Sequence, residues 1–289
     1  VIEDYRPQQP FFVGVDSDGC VFDTMELKHK ECFIPAFINH YELQGVSKYA
    51  REASEFVNLY SQRRGCNRFL GLVEQLDWLS SRVEVQARGV LVPQLQGLRN
   101  WVAQETKLGN PALEKVVEAT GDPDLAKTLT WSREVNRAIA DMVRGVPPFP
   151  LVKQCLQQLT EQADMLVVSA TPNAALETEW EEHGMAEYVR SICGQEAGSK
   201  KETLAVAKHY QANQSLMIGD ALGDYQAAVA NGCLFFPINP GHEEASWQRF
   251  DTEGINRFLS GTFTGEYQQQ LLGEFNEYLP SEPPWSVEG

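Results

Sequence analysis

Four short segments carry residue types suited to holding and cleaving a phosphate group, and they recur in a fixed order along this chain of 289 residues. Asp16-Ser17-Asp18-Gly19 follows the apolar run Phe11-Phe12-Val13-Gly14-Val15. Ser169-Ala170-Thr171 follows Met165-Leu166-Val167-Val168. Lys200-Lys201 opens a helix-like stretch, and Gly219-Asp220 follows Leu216-Met217-Ile218, with Asp224 shortly after. Three of the four sit where a short, β-branched-rich strand would end. In an open parallel α/β sheet that carboxyl edge is where ligands bind.

Phosphoryl transfer needs a nucleophile, an acid for the leaving group and positive charge around the equatorial oxygens. Asp16 suits the nucleophile, because a carboxylate can form an aspartyl-phosphate and divide hydrolysis into two easier steps. Asp18 is placed to give a proton to the leaving oxygen and then to activate water. Gly19 lets the chain turn sharply beside the phosphate. Asp16 and Asp220 at adjacent strand ends would repel unless a cation lay between them, and hard oxygen ligands suit magnesium. Asp224, one helical turn on, is a further ligand, direct or through water; as a helix N-terminal acid it would also complement the helix dipole. The Ser169 hydroxyl and nearby backbone N–H groups, that of Ala170 among them, can donate to a phosphoryl oxygen. Lys200 can neutralise Asp16 and the transferring group, with Lys201 the adjacent alternative. Taken singly, each of these residues reads as a solvated surface group. Their joint order reverses that.

The elements that must position them follow from the apolar pattern. Residues 11–16 read as a buried strand. From Glu26 the period turns helical for over a hundred residues, with stripes Ile34-Phe37-Ile38-Tyr41, Phe69-Leu72-Val73-Leu76, Leu91-Leu95-Leu98-Val102 and Trp131-Val135-Ile139-Met142. Pro93 reads as a helix start. Gly145, Pro147, Pro148 and Pro150 break the pattern. Beyond them come a helix, the strand 165–168, a helix over about 174–183 stopped by Gly184, a short strand near 188–193, the Lys200 helix, the strand 215–218, another helix and the strand 233–238. Strands alternating with helices predict an α/β fold, a doubly wound parallel-sheet, Rossmann-like core with an inserted all-helical domain. The expected division is a core at 1–23 and 146–240, a helical insertion at 24–145 and a helical C-terminal extension at 241–289, ordered as far as Pro280, Pro283 and Pro284.

Composition bounds the partners. A hydrophobic content of 43% supports a packed core. A formal net charge of −16 argues against nucleic acid and against anionic membrane as partners, since both select clustered Lys and Arg. The six cysteines are scattered without zinc-like spacing and read as free thiols in a reducing compartment. The polar opening Val1–Pro10 has no signal-peptide pattern, and no apolar run reaches the roughly 20 residues of a membrane span. The expectation is a cytoplasmic protein acting on a small phosphorylated molecule.

Asp16-Ser17-Asp18-Gly19, Ser169, Lys200 and Gly219-Asp220 with Asp224 resemble the four motifs of the haloacid dehalogenase superfamily, over the stretch from near the N-terminus to about residue 230. The resemblance implies an aspartate nucleophile, an acid–base aspartate two residues later and magnesium as cofactor, carried onto Asp16, Asp18 and Asp220, with Ser169 and Lys200 binding phosphate. Lys200 is preferred because Ser199-Lys200-Lys201-Glu202 is similar to the family's T-K-x-E form. The expected metal set is Asp16, Asp18, Asp220 and Asp224. The insertion resembles a helical type-1 cap, which closes over the site.

A carboxylate at Asp18 fits hydrolysis of a phosphate monoester, with phosphomutase chemistry as the alternative and a non-catalytic binding module of the same fold as a lesser one. Within the insertion, Gln62-Arg63-Arg64-Gly65-Cys66-Asn67-Arg68 places three arginines around a glycine. Arginine forks suit a carboxylate or a second phosphate, so Arg63, Arg64 and Arg68 are expected substrate contacts; a solvated helix–helix turn is the plainer reading of the same residues.

Overall fold

The computed structural model describes residues 5–286. By contact density the chain divides into two compact units, Val1–Met25 with Arg144–Leu279, and Glu26–Val143 with Pro280–Gly289.

The first unit is built on five parallel strands, β1 (Phe11–Val15), β2 (Ala163–Val168), β3 (Ser191–Cys193), β4 (Ser215–Gly219) and β5 (Leu234–Pro237), in the order β3-β2-β1-β4-β5. β1 is central, pairing Val13 with Met165 on one side and with Leu216 on the other. Both sheet faces are covered, which is why these strands read as continuous apolar runs rather than alternating ones. Strand periodicity sorts them into two cores. Val13, Val15, Met165, Val167, Leu216 and Ile218 pack with Leu156, Trp180, Trp247 and Phe250. Phe12, Leu166, Val168, Met217 and Phe235 pack on the other side with Leu204, Phe275 and Leu279. Gly14 is a close-approach position: a Cβ there would stand 2.7 Å from Leu204 Cδ2 and 3.0 Å from Met217 Sδ.

After β1 the strands are added outward through β2 and β3, then on the opposite side through β4 and β5. The order therefore reverses between β1 and β4, and such a switch point opens a crevice at the carboxyl ends of the strands. Asp16 and Asp220 follow those two strands directly.

The helices between the strands follow their signals. Asn173–Glu182 ends before Gly184, whose φ of 59° suits glycine. Lys200–Thr203 is a single α turn that continues as a 3-10 segment, Leu204–His209. In the Glu266–Tyr278 helix Leu271 and Phe275 are buried.

The second unit is all helical, with Ile34–His40, Ser47–Leu59, Arg68–Ser81, Gln96–Gln104, Asn110–Thr120 and Pro123–Met142 as its main elements. Its core gathers Phe37, Tyr41, Phe69, Leu72, Leu76, Leu98, Trp101, Trp131 and Val135. Side chains cap the helix starts: Asn67 accepts from Phe69 N (3.0 Å), and Asp122 from Asp124 N (2.9 Å) and Leu125 N (3.1 Å). One expected stripe is altered. Leu91 is 92% exposed and the helix begins at Gln96, after Leu95 in a left-handed conformation. Residues 91–95 are not helical, so the helix starts at Gln96 rather than at Pro93, which disfavours a helical conformation in the residue before it. The prolines near the end of the chain do not terminate order either. Pro284–Ser286 forms a 3-10 turn, and Trp285 meets Phe56 edge-on (5.8 Å) beneath the Arg82 guanidinium (4.4 Å). No helix among the described residues is long and apolar enough to cross a membrane.

Candidate active site

Asp16 leaves β1 with its N–H donating to Ile218 O on β4 (3.0 Å), so the sheet ladder itself fixes where the carboxylate emerges. Its two oxygens have separate partners. Oδ1 accepts from Ser17 N (2.8 Å), and Oδ2 from Lys200 Nζ (2.7 Å). The same ammonium reaches Asp224 Oδ1 (2.6 Å), and Asp224 Oδ2 accepts from Ala221 N (3.1 Å). Asp224 comes this close because Gly219 has no side chain: a Cβ on Gly219 would lie 2.5 Å from that of Asp224. Lys200 is aimed by a capping box, in which Ser199 Oγ accepts from Glu202 N and Glu202 Oε2 accepts from Ser199 N. The sequence left Lys200 and Lys201 open on residue types alone. Of the two, Lys200 is the one whose ammonium reaches Asp16 and Asp224.

Asp16, Asp220 and Asp224 are all buried, and one oxygen from each lies within 4.8 Å of the others, close enough to ligate one ion. The electrostatics fit a cation. Burial drives the Asp16 pKa well above the carboxylate range; Lys200 opposes this, and the neighbouring Asp224 and Asp220 add to it. Asp224 is raised for the same reasons, burial first. Burial works against the charge on Lys200, yet Asp16 and Asp224 hold its pKa above the ordinary lysine value. A hard divalent cation among these oxygens would relieve the crowding of charge, and the donor set suits magnesium. Asp18 stands outside this trio.

Asp18 is instead held by hydroxyls. Thr24 Oγ1 donates to its Oδ1, and Thr171 Oγ1 donates to its Oδ2 (2.7 Å). Neither threonine was assigned a role from the sequence. Thr171 lies in the segment singled out there, whereas Thr24 carried no signal beyond its nearness to Asp18. Gly19 makes the turn with φ of 76°. Ser169, 4% exposed, donates its N–H to Cys193 O (3.0 Å), and its Oγ accepts from Thr171 N (3.2 Å). Ala170 between them is exposed. Thus Asp16, Asp18, Ser169, Lys200, Asp220 and Asp224 converge on one sheet edge.

The arginines of the helical unit are engaged within it. Arg63 Nε pairs with Glu74 (2.6 Å). Arg64 is buried and donates to Leu59 O (2.9 Å). Arg68 donates to Ser132 O (3.2 Å), Ser132 Oγ (3.0 Å) and Asn136 Oδ1 (2.7 Å), and stands over the Phe33 ring. Burial lowers its pKa to about 10.

A family model for haloacid dehalogenase-like hydrolases matches residues 99–238, which include Ser169, Lys200, Asp220 and Asp224. Over that stretch the chain is similar to this family. A curated phosphoglycolate phosphatase of Vibrio parahaemolyticus is 31% identical over 102 residues, 32% of this chain and 45% of that protein, so the chain spans just under half of its length. The solved structure of a suggested phosphoglycolate phosphatase from Lactobacillus delbrueckii subsp. bulgaricus superposes with a TM-score of 0.51 at 14% identity, covering 93% of this chain and 99% of that one. At that identity the likeness concerns the fold alone. Another suggested phosphoglycolate phosphatase, from Haemophilus somnus, has a TM-score of 0.45 at 14% identity, covering 80% of this chain and 86% of the other.

Proposed function

We propose that this chain is a haloacid dehalogenase-like hydrolase, a magnesium-dependent phosphatase that hydrolyses a small-molecule phosphate monoester through an aspartyl-phosphate on Asp16. The observation that carries the reading is the single ammonium of Lys200 bridging Asp16 and Asp224, within a buried cluster completed by Asp220. It holds a nucleophilic carboxylate, a cationic clamp and a set of hard ligands at one point.

Asp16 attacks phosphorus, and the bond from phosphorus to the ester oxygen breaks. Asp18, protonated, gives its proton to the departing oxygen, and the alcohol leaves. The Asp18 carboxylate then takes a proton from water as the water oxygen bonds to phosphorus. The acyl-phosphate bond to Asp16 breaks, which returns both carboxyls to their starting states and frees inorganic phosphate. Ser17 N–H and Lys200 orient Asp16, while the two threonines aim Asp18. Ser169 and the backbone beside Ala170 serve the phosphoryl oxygens, and the turn at Gly19 gives them room. Magnesium, held by Asp16, Asp220 and Asp224, would screen the charge between nucleophile and substrate.

The relative in Vibrio makes phosphoglycolate the first ester to test, followed by sugar phosphates and nucleotides. Phosphate release should require magnesium, vanish on chelation and return when the ion is restored. Asp16→Asn should abolish it in a protein that still melts cooperatively, because an amide is a poor nucleophile. Undiminished turnover by that variant would overturn the covalent route. Conversion of a sugar phosphate to its isomer without phosphate release would replace the hydrolytic reading by a mutase.

A further inference from the structure

Ser17 lies between the two reactive aspartates and is itself fully buried. It is the hub of their turn. Its carbonyl accepts from Val21 N (2.8 Å), Phe22 N (3.1 Å) and Cys20 N (3.3 Å), while its own N–H holds Asp16 Oδ1. Its hydroxyl is used as well. Oγ accepts from the Trp180 indole N–H (3.0 Å) and faces Glu179 Oε2 at 3.4 Å.

Trp180 is fully buried in the Asn173–Glu182 helix, and its ring also meets Phe22 edge-on (6.1 Å, 82°). The helix thus grips the turn at both ends, by a hydrogen bond at Ser17 and an aromatic contact at Phe22. The same helix begins just after Ser169-Ala170-Thr171, whose threonine holds Asp18. One rigid element therefore references three things to each other: the phosphate-facing segment, the acid–base carboxylate and the backbone that sets the nucleophile.

A buried indole N–H costs free energy if left without an acceptor. The Ser17 hydroxyl supplies one, and so ties the residue between Asp16 and Asp18 directly to the helix. Elsewhere the turn is tied by Trp247 Nε1, which donates to Cys20 O (2.8 Å), and by Phe149 N, which donates to Val21 O (2.8 Å), but these act beyond Asp18, whereas Ser17 sits directly beside Asp16. Small displacements of a nucleophile are costly in rate, up to about a hundredfold for roughly 1 Å.

We propose that Trp180 and Ser17 are positioning residues for the phosphate-ester chemistry, their hydrogen bond locking the turn that carries Asp16 and Asp18 against the helix that follows Ser169. This rests on the phosphatase reading above. The consequence is specific: losing the bond should slow the chemical step rather than weaken binding, because the phosphate contacts lie on other residues.

The test uses the full chain with magnesium and p-nitrophenyl phosphate, comparing Ser17→Ala, Trp180→Phe and the double variant with wild type. Each single change should lower kcat about tenfold, a fraction of the displacement cost above, with KM close to wild type. The double variant should be little worse than either single one, since both substitutions remove the same bond. Ser17→Cys, which restores a weak acceptor, should fall between Ser17→Ala and wild type. If Trp180→Phe does not fold, Ser17→Ala and Ser17→Cys, which alter one atom, still decide the matter. A lowered Tm with unchanged kcat well below the melt would make the contact merely structural and overturn the inference. Fully additive losses would overturn it too. Wild type without turnover overturns the phosphatase reading and this inference with it, whereas active wild type with unaltered variants overturns the inference alone.

Discussion

Asp18 differs from its neighbours in how it is held. Asp16 and Asp224 are tied to an ammonium, whereas Asp18 accepts from two hydroxyls, Thr24 and Thr171. Hydroxyls orient a carboxyl without committing it to one protonation state, since each can donate to the anion or accept from the acid. That suits the role proposed for Asp18, which would first give a proton and then take one. Asp18→Asn should therefore cost roughly 10²–10⁴-fold in kcat on alkyl phosphates, which need a protonated leaving group. The loss should be much smaller for p-nitrophenyl phosphate, whose leaving group departs as a stable anion. Parallel assays on the two ester classes check this, and equal losses would make Asp18 structural. Thr171→Val should show the same leaving-group bias at reduced size, because it loosens Asp18 without removing it.

At the scale of elements, the strands and the gathering of the charged residues at one sheet edge were legible, and the lateral hydrogen bonds were not. β1, β4 and the Met165–Val168 part of β2 are nearly continuous apolar runs because helices cover both sheet faces, and each ends directly before Asp16, Asp220 or Ser169. β3 was harder. It has only three residues, Ser191–Cys193, because Tyr188 completes a preceding 3-10 turn. The Thr171–Asp18 and Trp180–Ser17 bonds join residues more than 150 positions apart, and no local pattern encodes such a pairing. The arginine run differs in scale. Its composition is local, but its partners Glu74, Ser132 and Asn136 lie on helical faces that only folding brings to it. The cap of the Pro123–Met142 helix belongs to this scale too. Asp122 before Pro123 accepts two N–H groups at the start of the longest helix. Asp122→Ala should cost about 1 kcal/mol, while Asp122→Asn should cost far less. Urea midpoints measure both, and equal losses would show that the carboxylate's charge, rather than its capping oxygen, matters.

For the whole molecule the governing quantity is the net charge of −16. A phosphate monoester arrives as an anion, so the long-range field opposes it, while the local attraction from Lys200 acts only at contact. The two respond differently to salt. The Debye length shrinks from about 30 Å at 0.01 M to about 10 Å at 0.1 M, which screens charges spread over the surface but hardly touches a buried ammonium. Raising the ionic strength at saturating magnesium should therefore lower KM for an anionic ester and leave kcat unchanged. The cation feels the opposite force. The same field draws magnesium toward the protein, so salt should raise the magnesium concentration needed for half-maximal activity. Titrating substrate at saturating magnesium, and magnesium at saturating substrate, at several concentrations of a monovalent salt separates the two effects. A KM that rises with salt would mean that a local cationic patch, rather than the acidic whole, governs approach of the substrate.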